Sequence, residues 1–320
     1  MKRTFTYQIT SADAGHSIER FLKEQGFSGQ NIIDLKKMPE SILVNNVWEH
    51  MNYRLQPLDT LKVCMEETES SQKIIPVHLP LDIVYEDEDL LVVNKPADMP
   101  IHPSMGNYEN TLANAVAWHY HTQDIPFVFR CVNRLDRNTS GLTIIAKHMV
   151  SANILSQMVA ERDIHREYLA IVQDKYLPDM GIVYAPIGRK EGSTIERMID
   201  FINGDRAITQ YQVLGRENGY ALVALQLETG RTHQIRVHMK YMKCPLVGDS
   251  LYNPKEVSYL ASLPEGETDT RILKRQALHS AKLEFNHPIT KEPLCFTQKL
   301  PEDMTEFLIQ NMSFTYEEYK

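Results

Sequence analysis

Beyond residue 80 the chain is a succession of short β-type runs: DIVYEDEDLLVVNKP, TIIAK, EYLAIV, MIDFINGDRAITQYQVL and YALVALQLE. Asn203-Gly204 interrupts one of them, and this dipeptide readily takes the two positive φ angles of a tight hairpin turn. Such a turn makes its flanking strands antiparallel. Helical patterns are fewer than strands, the clearest being MVSANILSQMVAER. The expectation is an α+β fold, a mostly antiparallel mixed sheet with flanking helices, rather than a doubly wound parallel sheet. DIHREYLAIV carries apolar residues in both of its alternating rows, as an interior strand does.

A smaller α+β unit precedes this region. AGHSIERFLKEQGF has Ile18, Phe21 and Leu22 at helical spacing and stops at Gly26, a second helical piece surrounds Ile32, Ile33 and Leu35, and SILVNNVWEHMNYRLQPLDTLKV reads as short strands joined by an Asn-Asn turn. MEETESSQKIIPVHLP is polar, holds two prolines and has no period, which suits a linker. The organisation expected is residues 1–65, a linker over 66–80, and a large domain over 81–320. No apolar run approaches the roughly 20 residues of a spanning helix, so no membrane partner is expected. MKRTFTYQIT lacks the apolar centre of a secretory signal. The four cysteines, Cys64, Cys131, Cys244 and Cys295, include no Cys-x-x-Cys pair. Reduced thiols in a cytoplasmic protein are the expectation, with no metal.

The formal charge of −8 argues against a nucleic-acid partner only until its distribution is considered. Glu66 to Leu90 holds eight acids and one lysine, whereas Thr229 to Lys243 holds Arg231, Arg236, Lys240 and Lys243 and no acid. Phosphate contacts respond to the local field, within about 8–10 Å at physiological salt.

Three segments carry chemistry. VNRLDRNTSGL sets Asp136 between Arg134 and Arg137 on a tight connection between the strand-like runs FVFRCV and LTIIAK, with Gly141 free to adopt a conformation other residues resist. A nearby cation keeps a carboxylate ionised, which makes a nucleophile possible, although structural ion pairs are commoner. In LETGRTHQIRVHMKYM, Ile235, His238, Met239 and Met242 mark one helical face, with Thr232 as its expected cap. His233 and His238, five apart, do not share a helix face, so a metal site is not expected there. In DIHREYLAIV, Tyr168 is either core or a ring on which a flat substrate stacks.

Taken in order, these segments resemble the RluA-type family of RNA pseudouridine synthases. NKPADMPIHPS, NRLDRNTSGLTIIAK, REYLAIV, GRTHQIRVHM, CPLVGDSLY and QALHSAKLEFNHP match its successive motifs over residues 81 to about 305. Residues 12 to 64 resemble more weakly the S4-type RNA-binding module that often precedes that domain. The resemblance implies a pseudouridine synthase-type catalytic domain that isomerises uridine within RNA without a cofactor. It implies Asp136 as the catalytic aspartate, Tyr168 as the active-site tyrosine, Arg231 as the arginine paired with the aspartate, and Arg134 as a residue that helps hold the flipped-out nucleotide. Asn133, Arg137, Thr139, Lys95, Arg236 and Lys240, in or beside the same motifs, are the further expected substrate contacts.

The chain departs from the family pattern at a few positions. Asn133 stands where histidine is usual, Asp98 and Lys243 where glycine is common, and Ser28-Gly29 where the S4-type module has Ser-Arg. Residues 12–65 hold six bases against seven acids, which argues against RNA binding by that unit. The expected partner is RNA, ribosomal RNA in preference to transfer RNA, bound by a monomer. Two other classes fit part of the pattern. One is a catalytically silent RNA-binding protein of the same fold; the other is a glycosidic-bond hydrolase, which usually needs a second carboxylate about 5 Å from the first.

Overall fold

In the computed structural model, which describes residues 1–264, 267–313 and 316, Asn45 and Asn46 take φ of 54° and 66° and turn the chain back on itself as their sequence suggests. They join two strands of a four-stranded antiparallel sheet, ordered β1-β4-β2-β3, made of β1 (Lys2–Gln8), β2 (Ile42–Val44), β3 (Val47–Trp48) and β4 (Thr60–Glu66). Helices α1 (Ile18–Glu24) and α2 (Gly29–Lys37) lie between β1 and β2 in the chain. Ser17 caps α1, and Ser28 forms a reciprocal capping box with Asn31 at the start of α2.

The larger region is built on one mixed sheet. Its elements are β5 (Asp82–Glu86), β6 (Leu90–Lys95), α3 (Leu112–His121), β7 (Ser140–Ala146), α4 (Met149–Glu161), β8 (His165–Gln173), β9 (Met180–Tyr184), β10 (Ile187–Arg189), β11 (Arg197–Ile199), β12 (Ile208–Glu217), β13 (Tyr220–Leu227), α5 (Gln234–Tyr241), α6 (Pro254–Ser262), β14 (Leu278–Asn286), β15 (Pro293–Thr297) and α7 (Glu302–Met312). The order is β5-β6-β7-β14-β8-β13-β12-β9, with β15 on β14, and β10 and β11 form a separate ribbon. β7 and β14 run parallel, and the other pairings in this sheet are antiparallel. β8 lies between β14 and β13, the interior place its apolar rows call for.

The hairpin signal is real but belongs to a different Asn-Gly pair. Asn218 and Gly219, with φ of 51° and 79°, form the two-residue turn between β12 and β13, in which Glu217 faces Tyr220. Asn203-Gly204 joins strands that do not pair with each other, and neither residue takes a positive φ. Glycine is needed at 204 for proximity, since a Cβ there would lie 2.3 Å from the carbonyl oxygen of Asp200. FVFRCV is an extended segment beside β7 rather than a strand, bonded through Val132 N–H to Ile144 and from Ala146 N–H to Arg130.

No helix or strand lies between Glu66 and Asp82, yet the segment expected as a linker is fastened along its length. Ser70 and Ser71 hydroxyls accept the N–H groups of Phe127 and Phe129, Val77 N–H bonds to Asn114, and Glu67 pairs with Arg130 at 2.8 Å. The two units also share a core, in which Phe5 and Phe27 join Leu90, Leu142, Val150 and Ile154. At their seam Arg3 grips Asp89, with Nε 2.7 Å and Nη2 3.1 Å from its two oxygens, and buried His148 reaches the same carboxylate at 2.8 Å. Asp87, Asp89 and His287 are grouped closely enough to suggest a metal, but their groups are already engaged. Asp87 takes the Tyr85 hydroxyl, His287 Nε2 and two backbone N–H groups. Among the described residues no helix is long and apolar enough to cross a membrane.

Gly141 has the freedom predicted for it and needs it: its φ is +108°, and a Cβ would lie 2.2 Å from the Ser280 carbonyl oxygen on β14. Gly219→Ala, which meets only open space, is expected to cost about 1–2 kcal/mol through its positive φ. Gly141→Ala is expected to cost more than about 4 kcal/mol, because a backbone strand blocks the methyl. Urea denaturation of the two variants checks the contrast.

Candidate active site

The carboxylate at 136 sits on a loop whose carbonyls are tied down one after another. The Asp136 carbonyl accepts the N–H of Thr139 at 3.1 Å, that of Arg137 accepts Lys95 Nζ at 3.0 Å, and that of Asn138 accepts Arg275 Nη1 at 3.1 Å. Lys95, at the end of β6, is wholly buried and also donates to the carbonyls of Pro96 and Met99 at 2.7 and 2.9 Å. Burial, aided by the positive charge of Arg275, pulls its pKa down to about 7. Its three acceptors match the three N–H bonds of an ammonium. Lys95 is therefore an anchor for the loop and not the substrate contact expected from the sequence, because no surface of it reaches the cleft.

Arg236 supplies the partner of Asp136. Its Nη1 lies 3.0 Å from Asp136 Oδ2, while Nε and Nη2 grip both oxygens of Asp249 at 2.8 and 2.9 Å. The Arg236 side chain is 8% exposed, Asp249 0% and Asp136 26%, so the pair at the back is sealed and the front carboxylate meets solvent. Burial alone works against the charge on Arg236, but Asp249 and then Asp136 outweigh it and raise its pKa.

Arg231, expected in this role, does something else. Its Nε donates to the Arg206 carbonyl at 3.1 Å, and Nη1 lies 3.5 Å from Asp205. The reason is where the helix begins. His233, not Thr232, is the residue at the cap, with φ of 58° and no side-chain cap bond, and α5 starts at Gln234. Arg231 precedes that turn and swings outward, whereas Arg236 lies on the inner side of the helix near Ile235 and Met239. Arg236 is thus an ion-pair partner, with each of its three nitrogens already bonded to a carboxylate, rather than a free substrate contact.

The remaining expected residues divide between cleft and scaffold. Arg134, Asp136, Thr139, Tyr168, Arg231 and Arg236 line one cleft, with His233 beside them. Arg134 and Arg231 are exposed at its edge, and Tyr168 on β8 is buried at its base. Burial raises the pKa of Tyr168, so its hydroxyl stays protonated. Thr139 is buried, and its hydroxyl accepts from Gln276. Asn133 turns away from the cleft: its Oδ1 accepts the N–H of Ile144 at 2.7 Å and its Nδ2 donates to Leu142. Arg137 reaches back to Asp98 at 2.7 Å, bracing two loops. Lys240 is exposed and lies 5.6 Å from the centre of the Tyr252 ring. His238 is a core residue, bonded to Thr209 and to the carbonyl of Ala185.

A family model described as RNA pseudouridylate synthase matches residues 89–241, the span that holds Asp136, Tyr168 and Arg236. The uncharacterized RNA pseudouridine synthase YjbO of Bacillus subtilis is 37% identical over 91% of this chain and 98% of its own length. The chain belongs to the RNA pseudouridine synthase family. It is an RNA-modifying isomerase of the RluA type, as its motifs suggested. The ribosomal large subunit pseudouridine synthase D of Buchnera aphidicola is 41% identical over 74% of this chain and 75% of that one. The solved structure of human RNA pseudouridylate synthase domain containing 4 superposes with a TM-score of 0.56 at 25% identity, covering 71% of this chain and 91% of that one.

The two arginines make opposite predictions. Arg236→Ala leaves Asp249 buried without its cation and is expected to cost about 3–5 kcal/mol. Arg231→Ala, at an exposed pair, is expected to cost under about 1 kcal/mol. Thermal unfolding of both variants tests the assignment. Lys95→Met strands three carbonyls and is expected to lower stability by on the order of 3 kcal/mol. Its RNA affinity, measured on folded protein by filter binding, stays at the wild-type value.

Proposed function

We propose that this enzyme isomerises uridine in large-subunit ribosomal RNA with Asp136 as its nucleophilic carboxylate. The observation that carries the reading is the one-sided grip on Asp136. Arg236 engages Oδ2, so Oδ1 is left to face a nucleoside that has entered the cleft above Tyr168. In the reaction the C1′–N1 bond breaks and a C5–C1′ bond forms; the hydrogen on C5 leaves as a proton and N1 takes one up. No electron is gained or lost overall, so the chemistry asks for a nucleophile and a trapped base and for no redox cofactor. An ionised carboxylate divides this exchange into easier steps.

The target base must first leave its stack, at a cost of a few kcal/mol. Tyr168 offers its ring as a platform, and Arg134 and Arg231 at the cleft edge are placed to meet phosphates or to fill the space the base vacates. A protonated Tyr168 acts here by contact rather than as a base. Ribosomal RNA is favoured because relatives from several bacteria are named ribosomal large subunit pseudouridine synthases.

The N-terminal unit contributes little to RNA affinity in this reading. Four of its basic side chains already pair with acids, Lys23 and Lys36 with Glu19, Arg20 with Glu24 and Lys37 with Asp34.

Asp136→Asn is expected to abolish pseudouridine formation in ribosomal RNA from cells lacking the enzyme, with RNA affinity kept, because phosphate contacts dominate binding. Turnover by that variant would remove Asp136 from its role, and release of free uracil by the wild type would point to hydrolysis instead. Replacing Lys240 and Lys243 with alanine is expected to flatten the salt dependence of binding, by up to about 0.9 in log–log slope for each phosphate these lysines neutralise.

A further inference from the structure

His233 borders the cleft beside Asp136, and nothing in the ion-pair scheme above requires it. It sits at the start of α5 in the left-handed region, φ 58°, which few non-glycine residues adopt, and its side chain makes no cap bond to the helix. A conformation of this kind persists when the surroundings hold the side chain elsewhere. Here they do: Nδ1 lies 2.8 Å from the hydroxyl of Tyr252, and Nε2 lies 3.7 Å from Asp136 Oδ2.

The hydrogen bonds around Tyr252 decide where the imidazole proton is. The backbone N–H of Arg197, on β11, donates to the Tyr252 hydroxyl oxygen at 2.8 Å. The phenol has one proton of its own to give, and Nδ1 of His233 is the acceptor in range. With Nδ1 accepting, the proton of a neutral imidazole is on Nε2, facing the carboxylate. The charged and titratable groups around the ring are Asp136 from the loop before β7, Arg236 from α5, Asp249 and Tyr252 from the segment before α6, and Arg197 from β11. Burial above all favours the neutral ring and lowers its pKa.

We propose that His233, held in the Nε2–H tautomer by Tyr252, is a positioning residue: it offers a neutral N–H to Asp136 Oδ2, so that Oδ2 is enclosed and Oδ1 is the oxygen that meets the nucleoside. At 3.7 Å the contact is just beyond hydrogen-bond reach, and a small rotation of the carboxylate as substrate enters closes it. A neutral donor suits the task. It steadies the carboxylate each time it is released from the sugar without adding a second full charge that would quench the nucleophile. The inference rests on the reading of Asp136 as nucleophile.

The test has two arms. Nitrogen-15 NMR of the histidine-labelled full-length protein reads the tautomer without any activity; His233→Gln identifies the signals. The expected result is a neutral ring with its proton on Nε2 near pH 7, and in Tyr252→Phe a mixture of tautomers and a higher titration midpoint. The second arm is single-turnover tritium release from RNA labelled at uracil C5. His233→Ala is expected to slow it roughly tenfold, as for loss of one hydrogen bond to a charged group, with RNA affinity unchanged. His233→Gln, whose amide N–H reaches where Nε2 stood, recovers most of that rate. In Tyr252→Phe the acid limb of the rate profile moves to higher pH, because the neutral ring has lost the donor that favoured it.

A proton on Nδ1, a charged ring at neutral pH, a wild-type rate in His233→Ala or an unmoved acid limb in Tyr252→Phe would overturn the proposal. Turnover by Asp136→Asn alongside the expected NMR result would instead overturn the choice of nucleophile and leave the tautomer standing.

Discussion

One guanidinium shared by two carboxylates organises this enzyme. Asp249 holds Arg236 by both its oxygens, which fixes the plane of the guanidinium, and the one nitrogen left over can point only at Asp136. Asp249 is fixed in turn, because its Oδ1 also accepts the N–H groups of Leu251 and Tyr252. A buried ion pair of this kind is weak evidence for stability, since the desolvation of two charges offsets much of their attraction. What it provides is direction: a carboxylate with one oxygen held by Arg236 and the other turned to the cleft.

That direction is useful only if the backbone that carries Asp136 does not move, and the loop is held by basic side chains acting on its carbonyls. Lys95 from β6 and Arg275 from the segment before β14 bind successive carbonyls, and the parallel pairing of β7 with β14 closes the loop behind Gly141. The loop is thereby fixed to three strands of the central sheet. The N-terminal unit adds to this frame, since its core is continuous with the β6 and β7 face and Arg3 closes the seam at Asp89. With the backbone of that loop tied down, the large motion needed for reaction falls on the RNA, whose base must leave its stack.

The departures from the family pattern are accommodated in backbone conformation. Asp98 and Lys243, both in place of common glycines, keep φ of 59° and 61°, the left-handed region for which glycine is usually chosen. Asp98 gains a partner in Arg137 that a glycine could not supply. Asn133, in place of the usual histidine, uses its amide like a peptide group, pairing with the Leu142 carbonyl and the Ile144 N–H along one edge of β7. These positions support the site and leave its reacting groups unchanged.

The sequence by itself determined the class of fold, the helices around Ile18 and Met149, the interior strand at Tyr168 and the loop that presents Asp136. Each of these is written in local pattern: residue spacing, caps, turn residues and a motif that stays within one stretch of chain. It did not determine which arginine meets the aspartate, since Arg231 and Arg236 are equivalent as charges and differ only in lying before or after the left-handed turn at His233. Nor did it mark Asp249, although GDS lies within a matched motif, because the worth of that acid depends on a guanidinium 13 residues away in the chain and on their common burial. The tertiary structure decided these matters by the same physics: a buried charge must find its partner within about 3 Å, and which partner is that close is a property of the packed sheet and helix rather than of any segment alone.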